Sequence, residues 1–493
     1  MRRSLGIILV GAALLVAGCP QFGTLCDEGY CDPKADGSSL DGVAPDGTLP
    51  DGALPDSSVD AEPPPKDCLT PTEPTKNPEK CLVDAFGAFV SPSGDDGNDG
   101  TKAKPFKTIG RALQGVRTRI VVCEGEYAGS LDVTRAVELY SGVTCDFSKA
   151  GGKAKLVASK AAYGIKVEKV SGPVVLADLD LVGMNGVAPG ESSVGVFLTE
   201  SGNVKLLRSR VEAGDGADAP AKRDGAFTLA AQAPDGQMAV GNTGGSGGDS
   251  GACPGGGSTK GGAGGNIGFQ GADGMPRPPG GAKGDGIADC GAGATGKNGS
   301  PGDNGQDRGG AATVATLTGA GLSGGKGMDA AHGTIGGGGG GGYGTAGAGG
   351  GGGAGGCGGQ GGFGGGAGGS SIAVLSFSSS VSLESTELIA KIAKPGGAGG
   401  KGQTGQLGGA RGTGNGMACN GGNGAKGGDG GARGGGAGGI AAGIAWAGGK
   451  EPTKDVASKI TRPTGAAPAG GEGGAGATNK GVDGVHADVV EVK

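Results

Sequence analysis

Two stretches decide how this chain is built: "SSVGVFLTESGNVKLLRSRVEA" at 192–213 and "SSIAVLSFSSSVSLESTELIA" at 370–390. Aligned on their paired serines they differ by one residue in length, and each reads as strand, turn, strand, turn. The second half of each carries a template V-x-L-x-x-x-x-(L/V), as "VKLLRSRV" (204–211) and "VSLESTEL" (381–388). An earlier copy, "VVLADLDL" (174–181), follows another short apolar strand, "GIKV" (164–167). Short strands recurring in this way are what a solenoid of stacked coils requires, because each coil buries its apolar residues only against its neighbours. Read as neighbouring coils, 192–213 and 370–390 force residues 214–369 to leave the solenoid and return. A second excursion then spans 394–436. Loop-closure entropy grows only logarithmically with length, so such excursions cost a solenoid little. "AVELYSGVT" and "AKLVA" read as earlier coils, and "GGIAAGIAWA" as a later one.

Composition explains why the excursions are unusual. Of 493 residues 124 are Gly and only 3% are aromatic, so large side chains cannot build an ordinary core there. Ordering Gly also costs more backbone entropy than ordering any other residue. The runs "GGAGGCGGQGGFGGG" (352–366), "GGAGGKGQTGQLGGA" (396–410), "GGNGAKGGDGGA" (421–432) and "GATGKNGSPGDNGQD" (293–307) place Gly at every third position. Three residues per turn is the period of a polyproline-II-type helix. With Gly on one face, such helices approach closely enough to exchange backbone hydrogen bonds. Packed helices of this kind and disorder are both open from sequence. The net charge of −6, with no basic run, speaks against nucleic acid as a partner.

The N-terminus concerns location. "MRR", the apolar "SLGIILVGAALLVA" and then "VAGC" ending at Cys19 have the layout of an export signal. Val16-Ala17-Gly18-Cys19 resembles the bacterial lipoprotein box, which implies cleavage before Cys19 and a lipid anchor on it. The membrane is then a partner through that anchor, and the outer membrane and cell surface are the favoured location. Residues 19–80 read as the lipidated Cys and an acidic tether, with Asp36, Asp41, Asp46, Asp51 and Asp56 at five-residue intervals, a period that fits neither helix nor strand. Without Cys19, ten cysteines remain: Cys26, Cys31, Cys68, Cys81, Cys123, Cys145, Cys253, Cys290, Cys357 and Cys419. An even number in an oxidising compartment favours disulfides over zinc, for which only His332 and His486 are available. Nearest-neighbour pairing gives Cys26/Cys31, Cys68/Cys81, Cys123/Cys145, Cys253/Cys290 and Cys357/Cys419.

The folded part begins near Cys81. "AFVSPSGDDGNDGTKAKPFKTIGRAL" followed by "RIVVCEGEYAGSLDVTRAVELYSGVTC" resembles the opening of secreted right-handed parallel β-helix proteins of the pectin-lyase-like superfamily, and a domain of unknown function common in bacterial surface proteins. The resemblance covers 86–145 and rests on Val90-Ser91-Pro92, the Asp/Asn/Gly loop, Pro105-Phe106, Thr108-Ile109, Ala112-Leu113 and Gly125-Glu126-Tyr127. It implies an all-β solenoid whose first coil is closed by a short helix. Phe106, Ile109 and Leu113 at i, i+3, i+7 fit one face of such a helix, with Pro105 at its start. The organisation expected is signal peptide 1–18, tether 19–80, cap and first coils 81–213, Gly-rich insertion 214–369, coil 370–393, Gly-rich insertion 394–436, and terminal coils and tail 437–493.

Two groups of charges are candidate sites. Asp95, Asp96 and Asp99 in the loop before the helix have the density of a Ca2+ site, although the loop lacks the Glu that closes an EF-hand. Its other reading is a tight turn feeding the cap. Stacking the template aligns Asp178 and Asp180 with Arg208 and Arg210 on the next coil, then with Ser385 and Glu387. Coils lie about 4.8 Å apart, so Asp180, Arg210 and Glu387 form an alternating charge ladder. The resemblance gives that ladder a chemical reading, since polysaccharide lyases of the superfamily place carboxylates that hold calcium beside an Arg or Lys base. A solvated ladder of paired charges is the plainer reading. The functional expectation is a non-enzymatic, lipid-anchored surface protein with a structural or adhesive role, its partner an extracellular polysaccharide or surface matrix. The alternative is a calcium-dependent polysaccharide lyase or glycan binder.

Overall fold

The computed structural model describes residues 66–68, 73–285, 290 and 295–493; the signal peptide, Cys19, the Cys26/Cys31 pair and the tether to residue 65 lie outside them. The rest is a parallel β-helix. Each of six full coils contributes one strand to each of three parallel sheets, and Gly87–Val90 adds a seventh strand to the first. The first sheet stacks Gly87–Val90, Arg119–Cys123, Val137–Val143, Pro173–Ala177, Asn203–Leu207, Val381–Glu384 and Thr453–Lys454. The second stacks Gly125–Ala128, Ala154–Val157, Leu179–Val182, Arg210–Glu212, Glu387–Ile389 and Lys459–Thr461. The third runs from Leu131–Val133 through Ile165–Glu168, Ser193–Thr199, Ser371–Phe377 and Ile440–Ala447 to Val485–Glu491.

The V-x-L template is thus two strands, not one. It bends at a single residue with left-handed backbone: Asp178 (φ 58°), Arg208 (φ 48°) and Ser385 (φ 49°). A left-handed non-Gly residue is unfavourable by itself, and here the position repeats in successive coils where strand pairing on both sides holds it. The residue after the bend turns inward at Ser209 and Thr386, and both are buried. The Ser209 hydroxyl accepts the Leu179 N–H at 3.2 Å and donates to the Leu207 carbonyl, which satisfies groups the bend removes from the ladder.

Like stacks on like inside the coil. Val137, Val174, Val204 and Val381 form one column, and Leu139, Leu176, Leu206 and Leu383 the next. All eight are at most 4% exposed, and they join one core with Leu156, Leu181, Val211 and Leu388 from the second sheet. Strand alternation is what makes this possible, since residues i and i+2 share a face.

The cap closes the first coil, with one correction. The helix is Ile109–Leu113, shorter than the sequence pattern implies, and its N-cap is Thr108, whose hydroxyl accepts the Arg111 N–H. Phe106 precedes the helix and bridges Val90. Phe106, Ile109 and Leu113 nonetheless pack on the same core.

The Gly-rich segments leave and re-enter at one corner, between second- and third-sheet strands. Their legs are held by backbone hydrogen bonds at a three-residue period. Along the leg 350–368, seven N–H groups, those of Gly350, Gly353, Gly356, Gly359, Gly362, Gly365 and Gly368, donate to carbonyls of Cys419, Gly422, Ala425, Gly428, Gly431, Gly434 and Ala437. That leg also bonds to segments 234–237, 245–248, 262–265, 333–342 and 397–412, giving it six hydrogen-bonded neighbours. Glycine is obligatory at the positions that face a neighbouring leg. A Cβ on Gly353 would lie 2.0 Å from the Gly409 carbonyl oxygen, and one on Gly358 1.8 Å from that of Gly333.

Disulfides join Cys68 to Cys81 and Cys123 to Cys145, but the two remaining pairs differ from nearest-neighbour pairing. Cys253 bonds Cys357 and Cys290 bonds Cys419. The reason is the bundle itself: lateral neighbours there come from legs far apart in sequence, with separations of 104 and 129 residues.

Candidate functional site

The charge ladder forms on the outer face of the second sheet and is longer than its sequence signal. Register pairs Asp180 with Arg210 and Arg210 with Glu387. It also brings Glu126 opposite Lys155, Lys155 opposite Asp180, and Glu387 opposite Lys459. Six successive coils therefore alternate in sign: Glu126, Lys155, Asp180, Arg210, Glu387, Lys459. Glu126 and Lys155 occupy the second position of a short strand, in "GEYA" and "AKLV", and Lys459 the first, in "KIT"; they were findable only once those strands had been placed on their own sheet.

Three of the ladder's five steps close as ion pairs. Arg210 lies 2.9 Å from Asp180 and 3.7 Å from Glu387, and its guanidinium also bonds Glu212. Lys391 reaches Glu212 at 2.5 Å, and Lys155 reaches Glu126 at 2.9 Å. At the bend, Arg208 grips Asp178 with two bonds, of 2.8 Å and 2.5 Å. Burial alone would raise the Glu212 carboxyl, but hydrogen bonds and charge from Lys391 and Arg210 outweigh it and hold the group below its ordinary value. Burial likewise opposes the charge on Arg210, and its bonds to Asp180 and Glu212 more than restore it. Chemically this is a face of alternating charge, largely ion-paired, that reduces like-charge repulsion between coils.

The Asp-rich loop is spent on its own backbone. Asp95 accepts the Gly97 N–H, and Asp99 accepts the N–H and hydroxyl of Thr101. Asp96 accepts the N–H groups of Lys107 and Thr108 and the Thr108 hydroxyl, tying the loop to the entrance of the cap helix. The Thr101 hydroxyl and amide hold the Asp99 carboxyl below its ordinary value. Three carboxylates with three separate turns to close do not converge as calcium ligands do. Among the described residues no group of three or more His, Cys, Asp or Glu is placed to hold a metal ion.

One concave feature escaped the sequence reading. The outer face of the third sheet is apolar at Val194, Phe197, Ile372 and Leu375, and an antiparallel hairpin, Ala315–Thr318 with Gly321–Gly324, covers part of it. Beside the hairpin tip is a cleft of about 260 Å3 lined by Tyr163, Lys166, Glu191, Phe197 and Leu322. Lys160 lies 4.8 Å from the Tyr163 ring centroid and donates to its hydroxyl at 2.9 Å, and Lys166 pairs with Glu168. An aromatic wall with ammonium groups at its edge suits a small polar ligand. No sequence spacing flags it, because its walls come from three successive coils and an insertion.

Residues 92–167 are similar to a family described as a protein of unknown function, DUF1565. The match takes in the Asp-rich loop, the cap helix and the first full coils, well under a fifth of the chain. No curated protein and no solved structure matches.

Proposed function

We propose that this chain is an exported, lipid-anchored surface protein with a structural or adhesive role and no reaction of its own. In this reading the β-helix is a rigid base, the acidic tether holds it off the membrane at Cys19, and the Gly-rich bundle is the part presented outward. The observation that carries the reading is the hydrogen-bonded bundle, whose central leg exchanges backbone bonds with six neighbours. So much chain ordered through backbone bonds between neighbouring legs suits presenting a surface better than enclosing a substrate. The calcium-dependent lyase reading finds less support. Arg208 and Arg210 are engaged with Asp178 and Asp180, so neither is free to act as a base.

Fatty-acid labelling of cells expressing the chain or its Cys19→Ala variant, followed by protease shaving of intact cells, tests the reading. Label on the wild type alone and release of bundle peptides by external protease are expected. An unlabelled wild type, or one protected from protease until cells are broken, sinks the anchor and the surface location. Shortening of an acidic polysaccharide by the purified chain in calcium, lost with chelator, would make it an enzyme instead.

A further inference from the structure

The hairpin that covers part of the third sheet leaves one strand edge open. In an antiparallel pair, residues bond across the pair at alternate positions, and the others turn their amides away. The Gly325 N–H donates to the Val314 carbonyl, so by alternation Thr316 with Ser323 and Thr318 with Gly321 are the bonded pairs. Leu322 and Gly324 therefore point their N–H and C=O away from the first hairpin strand. Gly324 is covered, since a Cβ there would lie 2.3 Å from that of Ala367. The first strand lies against Ile440–Ala447 and the second faces the earlier coils, so the open edge at Leu322 borders the cleft. Among the described residues nothing bonds the Leu322 amide or carbonyl.

The polar side chains that line the cleft each have a partner. Lys166 pairs with Glu168 at 2.8 Å, and the Tyr163 hydroxyl accepts from Lys160 at 2.9 Å. One Glu191 carboxylate oxygen accepts the N–H groups of Val187 and Ala188, and the Ser192 hydroxyl accepts that of Ser370. What a ligand finds open is one amide donor and one carbonyl acceptor on a single residue. Below them is an apolar floor of Val194, Phe197 and Leu375, each at most 3% exposed. The half-buried Tyr163 ring stands at the side. This lining lies wholly within the described residues.

That pattern selects a peptide unit as the polar group the cleft takes. A residue of an extended chain running antiparallel to Gly321–Gly324 would exchange both bonds with Leu322. Residues opposite each other in such a pair point their side chains to the same side. Leu322 packs its own side chain onto the sheet, so the incoming side chain lands on Val194 and Phe197 beside Tyr163. At about 260 Å3 the cleft is smaller than the roughly 300–1,000 Å3 of sites for drug-sized ligands, which leaves room for one side chain. An acyl chain would leave the Leu322 amide and carbonyl unpaired, and a sugar ring would set hydroxyls without partners on the apolar floor. We propose that the cleft binds an extended peptide, its backbone added to the hairpin edge at Leu322 and one aliphatic or aromatic side chain seated on Phe197. This goes beyond the surface reading and holds whether or not Cys19 carries a lipid.

The test is calorimetric titration of the purified protein with the capped peptide acetyl-Ser-Thr-Phe-Thr-Ser-amide and its forms with Leu, Val or Ser at the centre. A further form carries an N-methyl group on the central Phe. The Phe, Leu or Val peptide should bind, and the Ser and N-methyl forms at least about tenfold more weakly, one lacking the seated side chain and the other a backbone bond. Amide exchange at Leu322 should slow only with a peptide that binds, and glucose should not compete. In the protein, Tyr163→Ala should weaken binding, as should Leu322→Pro, which removes the N–H at an edge position that tolerates proline; unchanged thermal unfolding would show that both variants fold. The proposal is overturned if none of the three apolar peptides binds at about 1 mM, if the N-methyl form binds as well as its parent, or if no peptide slows exchange at Leu322. Competition by glucose would give the cleft to a saccharide and overturn it too. The peptide series needs no protein variant, so a misfolded variant leaves this outcome unchanged.

Discussion

Replacing Gly356 with Ala should separate the central leg from a neighbour. The added Cβ would lie 1.9 Å from the carbonyl oxygen of Gln406, a backbone atom that cannot rotate away. Relieving that contact requires the 397–412 leg to move by more than about 1 Å, since non-bonded atoms need at least roughly 3 Å. The bonds nearest the clash, Gln406 N–H to the Cys357 carbonyl at 2.9 Å and Gly409 N–H to Ala354 at 2.8 Å, would break first. Each leaves buried groups unpaired at about 1–3 kcal/mol, so the total is roughly 2–6 kcal/mol. Stiffening of the unfolded chain returns only about 0.4–1 kcal/mol. Gly309 is the control, because a Cβ there meets nothing within 4 Å. Gly309→Ala should be neutral or stabilising by about 0.4–1 kcal/mol through that same unfolded-state term. Amide exchange followed by mass spectrometry across 397–412, with thermal unfolding of both variants, reads the difference. Unchanged protection of that leg in Gly356→Ala would show that the legs are not in hydrogen-bonding contact, and the account of the bundle would be wrong.

Other consequences are open to direct measurement. Peptide mapping without reduction should recover Cys253 linked to Cys357 and Cys290 to Cys419; a Cys253–Cys290 peptide would contradict the bundle topology. Removing the Cys253–Cys357 bond with two serines should destabilise the bundle by up to about 4–5 kcal/mol, from the entropy of closing a loop of this length, read in denaturant titration; a change under about 1 kcal/mol would mean the legs hold without it. Arg210→Glu sets a carboxylate between Asp180 and Glu387 and should cost about 1–3 kcal/mol, more than Arg210→Gln, because like charges then face each other on both sides; equal effects would mean the ladder carries no electrostatic weight. Glu212 titrates below its ordinary value of 4.5 when folded, so its contribution is complete above that pH and is lost as pH falls through the folded value. The stability lost on acidification below pH 4.5 should therefore shrink in Glu212→Gln, and an unaltered acid limb would argue against the Lys391 and Arg210 pairing.

The coil was legible because its signal is local and repeated. Val and Leu two apart in each template name one buried face, and stacking the templates places Asp180, Arg210 and Glu387 in register. What was missed has a physical reason in each case. The bend at Asp178, Arg208 and Ser385 leaves no mark in sequence, since left-handed backbone usually announces itself through Gly, and here strand pairing imposes it on ordinary residues. Glu126, Lys155 and Lys459 lie on coils whose templates have diverged. The cysteine pairs depend on which legs are lateral neighbours, a property of the whole bundle. The Gly pattern held more than its period suggested. The leg 296–305 has Gly at only one position in three, at Gly296, Gly299, Gly302 and Gly305, and exposes Lys297 and Asn298 between them. The leg 350–362 has Gly at two or more in three, as a helix surrounded on all sides requires.

The bundle's dependence on peptide groups sets how the molecule responds to temperature. Melting the coils exposes stacked Val and Leu side chains, which raises the heat capacity and bends the stability curve downward in the cold. Melting the bundle exposes mainly amides, whose hydration pulls the heat capacity the other way. Its stability should vary with temperature along a flatter line, driven by hydrogen-bond enthalpy rather than by water release. On cooling, the coils should weaken before the bundle does, so that the part lacking an aliphatic core is the one that best keeps its order in the cold.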